Sequence, residues 1–572
     1  MVSVHDHCPS AMKGLTKDIE SNAFARADGL PNMAPIGGIQ TSSLTNEKRS
    51  EFPEHNPQAS LFQVWISILL TRIWNRTLVQ HSKQSIKQPT KRHRTRLLQN
   101  NGIEVPYIMT SCPKHIQSKG KQSNTEWQVY KTLTLECLFE NPDEGHPTEK
   151  EATYSPYGGR MDQSQEETTG FFYVKQLDDG NGEKGWSLVD PDGYRFLSLG
   201  VNSVSSGQKN ELFQKAYQEQ FHGSEQAWAV QTQATLVQRL GFNTLGPWSD
   251  PKPFQDANIP VAYCPRWNFM LTYKNVRPGG PYNIWKQPMP VFDPEWESFC
   301  MEHAEKLQDT KDDPWILGHF SDNELPFHEK NLINRYLELP ETDPGHKAAQ
   351  KWLDDHEKTT ETIGIEDHRA FCHIMIDRYF HFVQKAIKTH DPNHLYLGTR
   401  FHGYVSGQDV TYAASGPYLD VVTVNYYHRW TPEQAKIQKW AELSQKPIMI
   451  TEWYAKGDDA LATGDKEIVK LDNESGAGFT VPTQADRGAF YENFSLNLLR
   501  NRNIVGWHWF RYADYSSNCG IVDKNFHAWP ELANSMQRVN RHKYSLSDFL
   551  KGQEEDDKEL FMDKAKIVSQ EE

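Results

Sequence analysis

Eight short apolar runs rich in β-branched and aromatic residues recur through the chain: Phe196 to Val204, Phe242 to Trp248, Val261 to Trp267, Ile316 to Asn323, Leu395 to Phe401, Val421 to Tyr427, Pro447 to Trp453 and Val505 to Tyr512. Helical segments separate them, and that alternation predicts parallel strands joined by helical crossovers. The expected fold class is therefore α/β, and the count of eight points to a (β/α)8 TIM barrel. A doubly wound open sheet also alternates strand and helix, but nothing in the chain resembles a GxGxxG or GxxxxGK[ST] phosphate loop. Two crossovers can be read in detail. Ser224 is placed to cap a helix whose Ala227, Val230, Ala234 and Val237 fall on one face, with Gly241 at its end. Phe371, Met375, Phe382, Val383 and Ala386 line a second helix, which His390-Asp391-Pro392-Asn393 breaks just before the fifth strand.

At 572 residues the chain has room for one barrel of roughly 250 to 400 residues and additional segments. Residues 1–150 are polar, rich in Lys, Gln, Ser and Asn and without sustained periodicity, and are expected to be a long, largely disordered N-terminal extension. Residues 151–540 are expected to form the catalytic domain, entered through a hairpin turned by the DPDG sequence Asp190 to Gly193. Residues 541–572 read as a charged, solvated tail. The first twenty residues show no basic start followed by an apolar run, so no ordinary secretory signal is visible. The apolar stretch Leu61 to Leu70 is too short to span a bilayer, and no membrane insertion is expected.

Seven scattered cysteines without a CxxC pair suggest neither a zinc site nor a full disulfide framework, which leaves the redox compartment open. With Lys+Arg 61 against Asp+Glu 75, the net charge of −14 argues against a nucleic-acid partner. The 17 Trp beside many carboxylates suit a carbohydrate, whose ring faces stack on aromatics while its hydroxyls meet polar edges. Oligomeric state is not legible.

The proposed strands end mostly in polar or aromatic residues, where barrel enzymes place their chemistry: Asn202, Trp248, Trp267, Asn323, Arg400, Tyr427, Glu452 and Arg511. Retaining hydrolysis of a glycosidic bond needs two carboxyl groups about 5 to 5.5 Å apart, one protonated and one ionised. Glu324, in GHFSDNEL, closes the fourth run, and Glu452, in KPIMITEW, closes the seventh. Either glutamate alone is as readily a helix cap or a rim ion-pair partner. Their places on strands that face each other across a barrel mouth make them a catalytic pair. Tyr427 or Tyr426 is placed to orient Glu452, and Trp509 or Trp507 to form a platform beneath a sugar. Asn202, Trp248, Arg400 and His428 are further pocket candidates. His402 and His428 lack an HxH or HExxH context, so no catalytic metal and no cofactor are expected. The segment from Ala455 to Gln484, with Gly476-Ala477-Gly478, reads either as a loop closing the cleft or as a passive insertion. Asn75, Asn473 and Asn493 match the N-glycosylation pattern without deciding export.

The pieces WSLVDPDGYRFLSLGVNSV, GFNTLGPWSD, GHFSDNEL, TEWYAKG, SGAGFTVPTQADRGAFYENF and VGWHWFRYAD, over about residues 157–535, resemble the clan A glycoside hydrolases and within them agarase-type enzymes such as the glycoside hydrolase family 50 relatives. Carried over residue by residue, the resemblance implies that Glu324 is the acid/base, Asn323 binds the sugar 2-hydroxyl and Glu452 is the nucleophile. It also implies a secreted or periplasmic protein. The chain departs from that group at the N-terminus, where agarases often carry a β-sandwich or carbohydrate-binding module that is not recognisable here. The expected activity is a retaining β-glycosidase acting on a galactose-containing polysaccharide or its oligosaccharides, with agarase-like or β-galactosidase-like specificity. The alternatives are a noncatalytic carbohydrate-binding barrel and, with less support, a metal-dependent barrel hydrolase.

Overall fold

The computed structural model describes residues 96–100, 103–107, 114–119, 126–139, 154–178, 182–207, 211–463, 468–471 and 473–551. The chain divides into two units, Met1–Lys91 and Arg92–Glu572. The first lies outside the described residues, and with it the readings of Leu61 to Leu70 and Asn75.

All eight apolar runs contain strands: β1 Ser198–Val201, β2 Thr244–Leu245, β3 Ala262–Tyr263, β4 Gly318–Phe320, β5 Leu395–Gly398, β6 Val422–Asn425, β7 Ile448–Glu452 and β8 Ile504–Trp509. Every residue of these strands is buried, as near-continuous apolar runs covered on both faces require. Six of them, with the short strand Phe401–His402, form a seven-stranded sheet in the order β3-β2-β1-β8-β7-β6-(Phe401–His402), parallel throughout. The remaining two, β4 and β5, pair in parallel with each other. Backbone hydrogen bonds from Tyr263 N to Trp315 O (2.9 Å) and Leu317 N to Tyr263 O (2.9 Å) tie β3 to the start of β4. Asp420 N to Tyr396 O (3.0 Å) and Thr423 Oγ1 to Leu397 O (2.7 Å) tie β5 to β6.

Helices cover the outer faces of the strands. The helix α1, Glu225–Gln233, is capped as expected by Ser224, whose hydroxyl accepts from Ala227 N at 3.2 Å, and Gly241 follows it at φ +75°. Its buried face is different from the expected one. Val230 is 52% exposed and Ala227 is also exposed, whereas Trp228, Thr232, Leu236 and Leu240 are buried. The four-residue spacing continues because the chain passes into a π-helical stretch over Ala234–Arg239, and the large indole of Trp228 takes the inward place. In the longer helix α2, Ile365–His390, the expected Phe371, Met375, Val383 and Ala386 are buried and Phe382 is half-buried.

At the amino ends of the strands the expected DPDG hairpin is present. Gly193 takes φ +87°, Asp190 N bonds Tyr194 O at 2.8 Å, and Lys184–Val189 pairs antiparallel with both Tyr173–Asp178 and Arg195–Phe196. Phe172, Leu188 and Phe196 of this unit join Leu317, Leu395, Val421, Met449 and Val505 in one apolar cluster. The unit thereby covers the ends of the strands remote from Glu324 and Glu452.

Most of residues 1–150 lies outside the described residues, but two pieces pack as core. Lys114–Ser118 pairs antiparallel with Gln128–Thr132, and Lys119 pairs with Thr480. Ile116, Leu133, Leu135, Leu138 and Phe139 join the main apolar core, and Cys137 is disulfide-bonded. Helix α3, Gln484–Leu499, holds this piece: Asn493 Oδ1 accepts from Leu133 N at 2.8 Å and Glu492 Oε2 from Leu135 N at 3.0 Å. The charged C-terminal stretch likewise begins as a packed helix, Lys543–Lys551, with Leu546 and Leu550 buried, and residues 552–572 lie outside the described ones. Among the described residues no helix is long and apolar enough to cross a membrane.

Asn493 is buried, and its Nδ2 also donates to Trp430 O and Thr431 Oγ1, both at 3.0 Å, so its glycosylation motif is closed to modification. Replacing Asn493 with Ala strands the Leu133 N–H and two acceptors, at about 1 to 3 kcal/mol for a buried unsatisfied group. The expected result is a lowered urea midpoint with an unchanged slope, and an unaltered midpoint would show that the N-terminal piece is not held here.

Candidate functional site

The Glu452 carboxylate, at the end of β7, is 8% exposed and surrounded by donors. Arg400 Nη2 lies 2.7 Å from its Oε2, the Tyr427 hydroxyl donates to Oε1 at 2.7 Å, and Asn425 Nδ2 donates to Oε2 at 3.3 Å. Burial raises the Glu452 carboxyl above the ordinary value of 4.5; the Arg400 cation opposes this, and the Glu324 carboxylate adds to it. Tyr427 is pushed far above its ordinary value by burial and by Glu452, so it stays a hydroxyl donor.

Glu324 follows β4 in a left-handed conformation at φ 53°, held by a backbone hydrogen bond from its N to Thr399 O at 2.8 Å. Asn425 Nδ2 donates to its Oε1 at 2.7 Å, and His402 Nδ1 is 3.6 Å from the same oxygen. One amide nitrogen at the end of β6 therefore serves both glutamates. The two distances cap the gap between Glu324 Oε1 and Glu452 Oε2 at about 6 Å, so the two carboxylates face each other at close range. The Asn425 amide is itself oriented, since its Oδ1 accepts from Thr451 Oγ1 at 3.0 Å.

Of the other residues expected from the strand ends, Arg400, Asn323 and Tyr427 meet at the two glutamates. Arg400 is fully buried, and besides Glu452 it donates from Nη1 to Asn323 Oδ1 (3.0 Å) and from Nη2 to Thr451 O (2.8 Å). Trp248 is half-buried, with the Arg400 guanidinium 4.6 Å from its ring centroid. Asn202 is fully buried beneath the site, its Nδ2 donating to Thr451 O at 2.9 Å. His428, half-buried at φ 59°, stands beside Tyr427 with ring centroids 6.4 Å apart. Trp509 does not join them. Both it and Trp507 are 0% exposed, with the Trp509 indole bonded to Cys519 O and packed edge-on against Trp453. Neither presents a face to a ligand, because their side of β8 faces the helix layer.

Phe510, one residue beyond β8, takes the half-buried aromatic position instead, 5.6 Å from Tyr454 and 6.5 Å from Trp248 between centroids. Strand alternation was the available signal, since a neighbour of a wholly buried Trp points the other way. Asn425 also went unread, although a lone amide inside Val422-Thr423-Val424-Asn425 lies two residues from Tyr427. The Tyr426/Tyr427 choice resolves cleanly: Tyr426 points away and donates to Glu433 Oε2 at 2.7 Å.

The segment after the nucleophile candidate is built onto the site. Ala455–Gly457 pairs in parallel with Phe479–Val481. Gly476, at φ +85°, passes so close that a Cβ would sit 2.1 Å from the Tyr454 hydroxyl, and Tyr454 in turn flanks Tyr427 at 5.6 Å.

A second polar cluster, His319, Asp391 and His394, is wholly buried and has the residue types of a metal site. The Trp267 indole donates to His319 Nδ1 at 3.0 Å, which leaves Nε2 as the protonated nitrogen facing Asp391 Oδ2 at 2.7 Å. His394 Nδ1 reaches the same oxygen at 2.7 Å, and its Nε2 reaches Asp313 O at 2.9 Å. Against the effect of burial, these histidines hold the Asp391 carboxyl below its ordinary range. The cluster clamps the end of α2 to β4 and has no ligand position left open. A cavity of about 530 Å³ between α3, the helix Pro530–Arg541 and Lys114, Thr134 and Glu136 lies away from the glutamates and holds the Glu492–Arg538 ion pair.

No family model matches the chain. It is 26% identical over 503 residues to β-agarase B of Vibrio sp. (strain JT0107), an alignment covering 68% of this chain and 50% of that protein. Among solved structures, BpGH50 superposes with a TM-score of 0.67 at 27% identity, covering 80% of this chain and 99% of that one. An exo-β-agarase shares the fold with a TM-score of 0.57 at 21% identity, covering 71% of this chain and 69% of that one. The chain spans about half the length of the curated relatives it matches.

Replacing Arg400 with Gln removes the cation beside a buried carboxylate and raises the Glu452 carboxyl further. A carboxyl raised on folding costs stability as it ionises, so the stability lost through it appears as pH rises from its unfolded value through its folded one. The deficit of the variant relative to the parent is expected to be smallest at and below the ordinary carboxyl value and to grow as pH rises above it toward neutrality. Urea midpoints across that range would refute the coupling if the deficit stayed constant.

Proposed function

We propose that the chain is a retaining glycoside hydrolase that cleaves β-linkages in a galactose-containing polysaccharide or its oligosaccharides, on strands closed into an eight-stranded (β/α)8 barrel. The hydrogen bonds joining β3 to β4 and β5 to β6 support closure, because they link the two ends of the seven-stranded sheet through the β4-β5 pair. The likeness to the β-agarases supports the substrate class. The observation that carries the reaction is the single amide of Asn425 joining two carboxylates.

Three donors on Glu452, one of them the Arg400 cation, against one on Glu324 support Glu452 as the nucleophile and Glu324 as the acid/base, the Arg400 and Tyr427 contacts opposing the upward push of burial on Glu452. Glu452 attacks the anomeric carbon while Glu324 gives its proton to the departing oxygen, and a glycosyl ester forms on Glu452. Ester formation removes the neighbouring negative charge. Glu324, now ionised, takes a proton from the water that attacks the same carbon, which restores both groups and keeps the β configuration. Asn323 is turned by Arg400 so that its Oδ1 is occupied and its Nδ2 is offered to the sugar 2-hydroxyl, a bond that strengthens as positive charge develops. Tyr427 holds the Glu452 carboxylate at the angle of attack.

Glu452→Gln is expected to abolish turnover on every substrate. Glu324→Gln is expected to lower kcat by about 10²- to 10⁴-fold on oligosaccharides, and by much less on an aryl galactoside whose leaving group needs no proton. Turnover surviving in Glu452→Gln overturns the nucleophile assignment. Early-time NMR of the product is expected to show the β-anomer first, and an α-anomer refutes retention. Product analysis on agarose, porphyran and other galactans tests the substrate class, and binding without cleavage would favour a noncatalytic carbohydrate-binding barrel.

A further inference from the structure

Arg266, just beyond β3, is half-buried and lies beside the end of β4 through a parallel bridge between Arg266 and Phe320. Its guanidinium sits 4.9 Å from the Trp248 ring centroid, and that of Arg400 lies 4.6 Å from the same ring. The two cations differ in everything else. Arg400 is spent on Asn323, Thr451 and Glu452, whereas Arg266 makes no hydrogen bond or ion pair with any described residue. Nor are its nitrogens among the buried atoms that lack a partner, so they reach solvent.

The acid that acts on it, Asp322, is already engaged. Asp322 accepts from Met270 N, Leu271 N and the Tyr379 hydroxyl at 2.9, 3.0 and 2.6 Å. Burial lowers the Arg266 guanidinium to about 10, with Asp322 opposing and Arg400 contributing, so it remains charged at neutral pH. Carboxylates outnumber cations in this chain by 75 to 61, yet among the described residues none forms an ion pair with this one, and Asp322 acts on it only at longer range. A half-desolvated guanidinium without a hydrogen-bonded carboxylate is costly, and its planar fork matches an oxyanion. Through the shared Trp248 ring the two guanidinium carbons lie within about 10 Å of each other, which places Arg266 at the side of the site that Arg400 shares with Glu452.

Resting on the glycosidase reading above, we propose that Arg266, held against Trp248, forms a subsite for a sugar that carries an anionic substituent, a sulfate ester or a carboxylate, near the residue whose linkage is cleaved. The indole holds the guanidinium in place and the guanidinium fork takes the oxyanion.

Calorimetric titration of the full chain carrying Glu452→Gln tests this with three probes: a neutral β-galacto-oligosaccharide, its 6-O-sulfated form and its galacturonate-containing form. One of the anionic probes is expected to bind more tightly than the neutral one, by a margin that shrinks with added salt. Adding Arg266→Gln is expected to cut that preference by about tenfold or more, and Arg266→Lys to restore part of it. Preference for the sulfated probe identifies a sulfate ester, and preference for the uronate identifies a carboxylate. Equal affinity for neutral and anionic probes, or a preference that survives Arg266→Gln, overturns the subsite. Should the parent chain still cleave the neutral probe in that case, the glycosidase reading stands without it; no binding and no cleavage of any probe removes both.

Discussion

The buried ion pair of Arg400 and Glu452 organises this site. Glu452 is almost out of contact with water and Arg400 wholly so, and two charges in such surroundings are tolerable only when their remaining hydrogen-bonding capacity is also met. It is met by neighbours at several strand ends: Asn323 beyond β4, Asn425 on β6, Thr451 on β7 and Tyr427 beyond β6. Each of these groups is positioned because the ion pair needs it, and together they fix where Glu324 can stand. The distance between the two glutamates follows from how one buried charge is satisfied.

Beneath that pair the interior is polar but neutral. Gly200 has no side chain, and a Cβ there would fall 2.3 Å from the His508 ring, so the glycine makes the room that the imidazole occupies. Burial lowers His508 to about 3, so it adds no second cation beneath Arg400, and it shares hydrogen bonding with Ser198 at 3.0 Å. Further down, the antiparallel unit around Phe172, Leu188 and Phe196 covers the opposite ends of the strands. Chemistry and closure are thus kept at opposite ends of one strand set.

Much of this was legible in the residues. The eight strands announce themselves because buried parallel strands must be apolar along their whole length, and Glu324 and Glu452 stand out because a carboxylate ending such a run needs a reason. Arg400 and Tyr427 were readable as strand-end residues for the same cause. What escaped depended on direction rather than type. Trp507 and Trp509 alternate in sequence with residues facing inward, but only packing against Tyr491 and Trp453 shows that their side is the helix side. Val230 and Trp228 are both apolar, and which of them turns inward was settled by a π-helical stretch several residues later.

The amino-acid sequence by itself determined the parallel α/β class, the order of the strands along the chain and the chemical types at their ends, because these depend on local hydrophobic pattern and residue identity. Only the tertiary structure decided that Asn425 spans both glutamates, that Arg400 is spent on Glu452 while Arg266 has no hydrogen-bonded partner among the described residues, and that Ile116, Leu133, Leu135, Leu138 and Phe139 belong to the core. Those outcomes join residues far apart in the chain. Pairing across such separations is set by which side chains the paired strands bring within hydrogen-bond reach, and no local pattern carries that information.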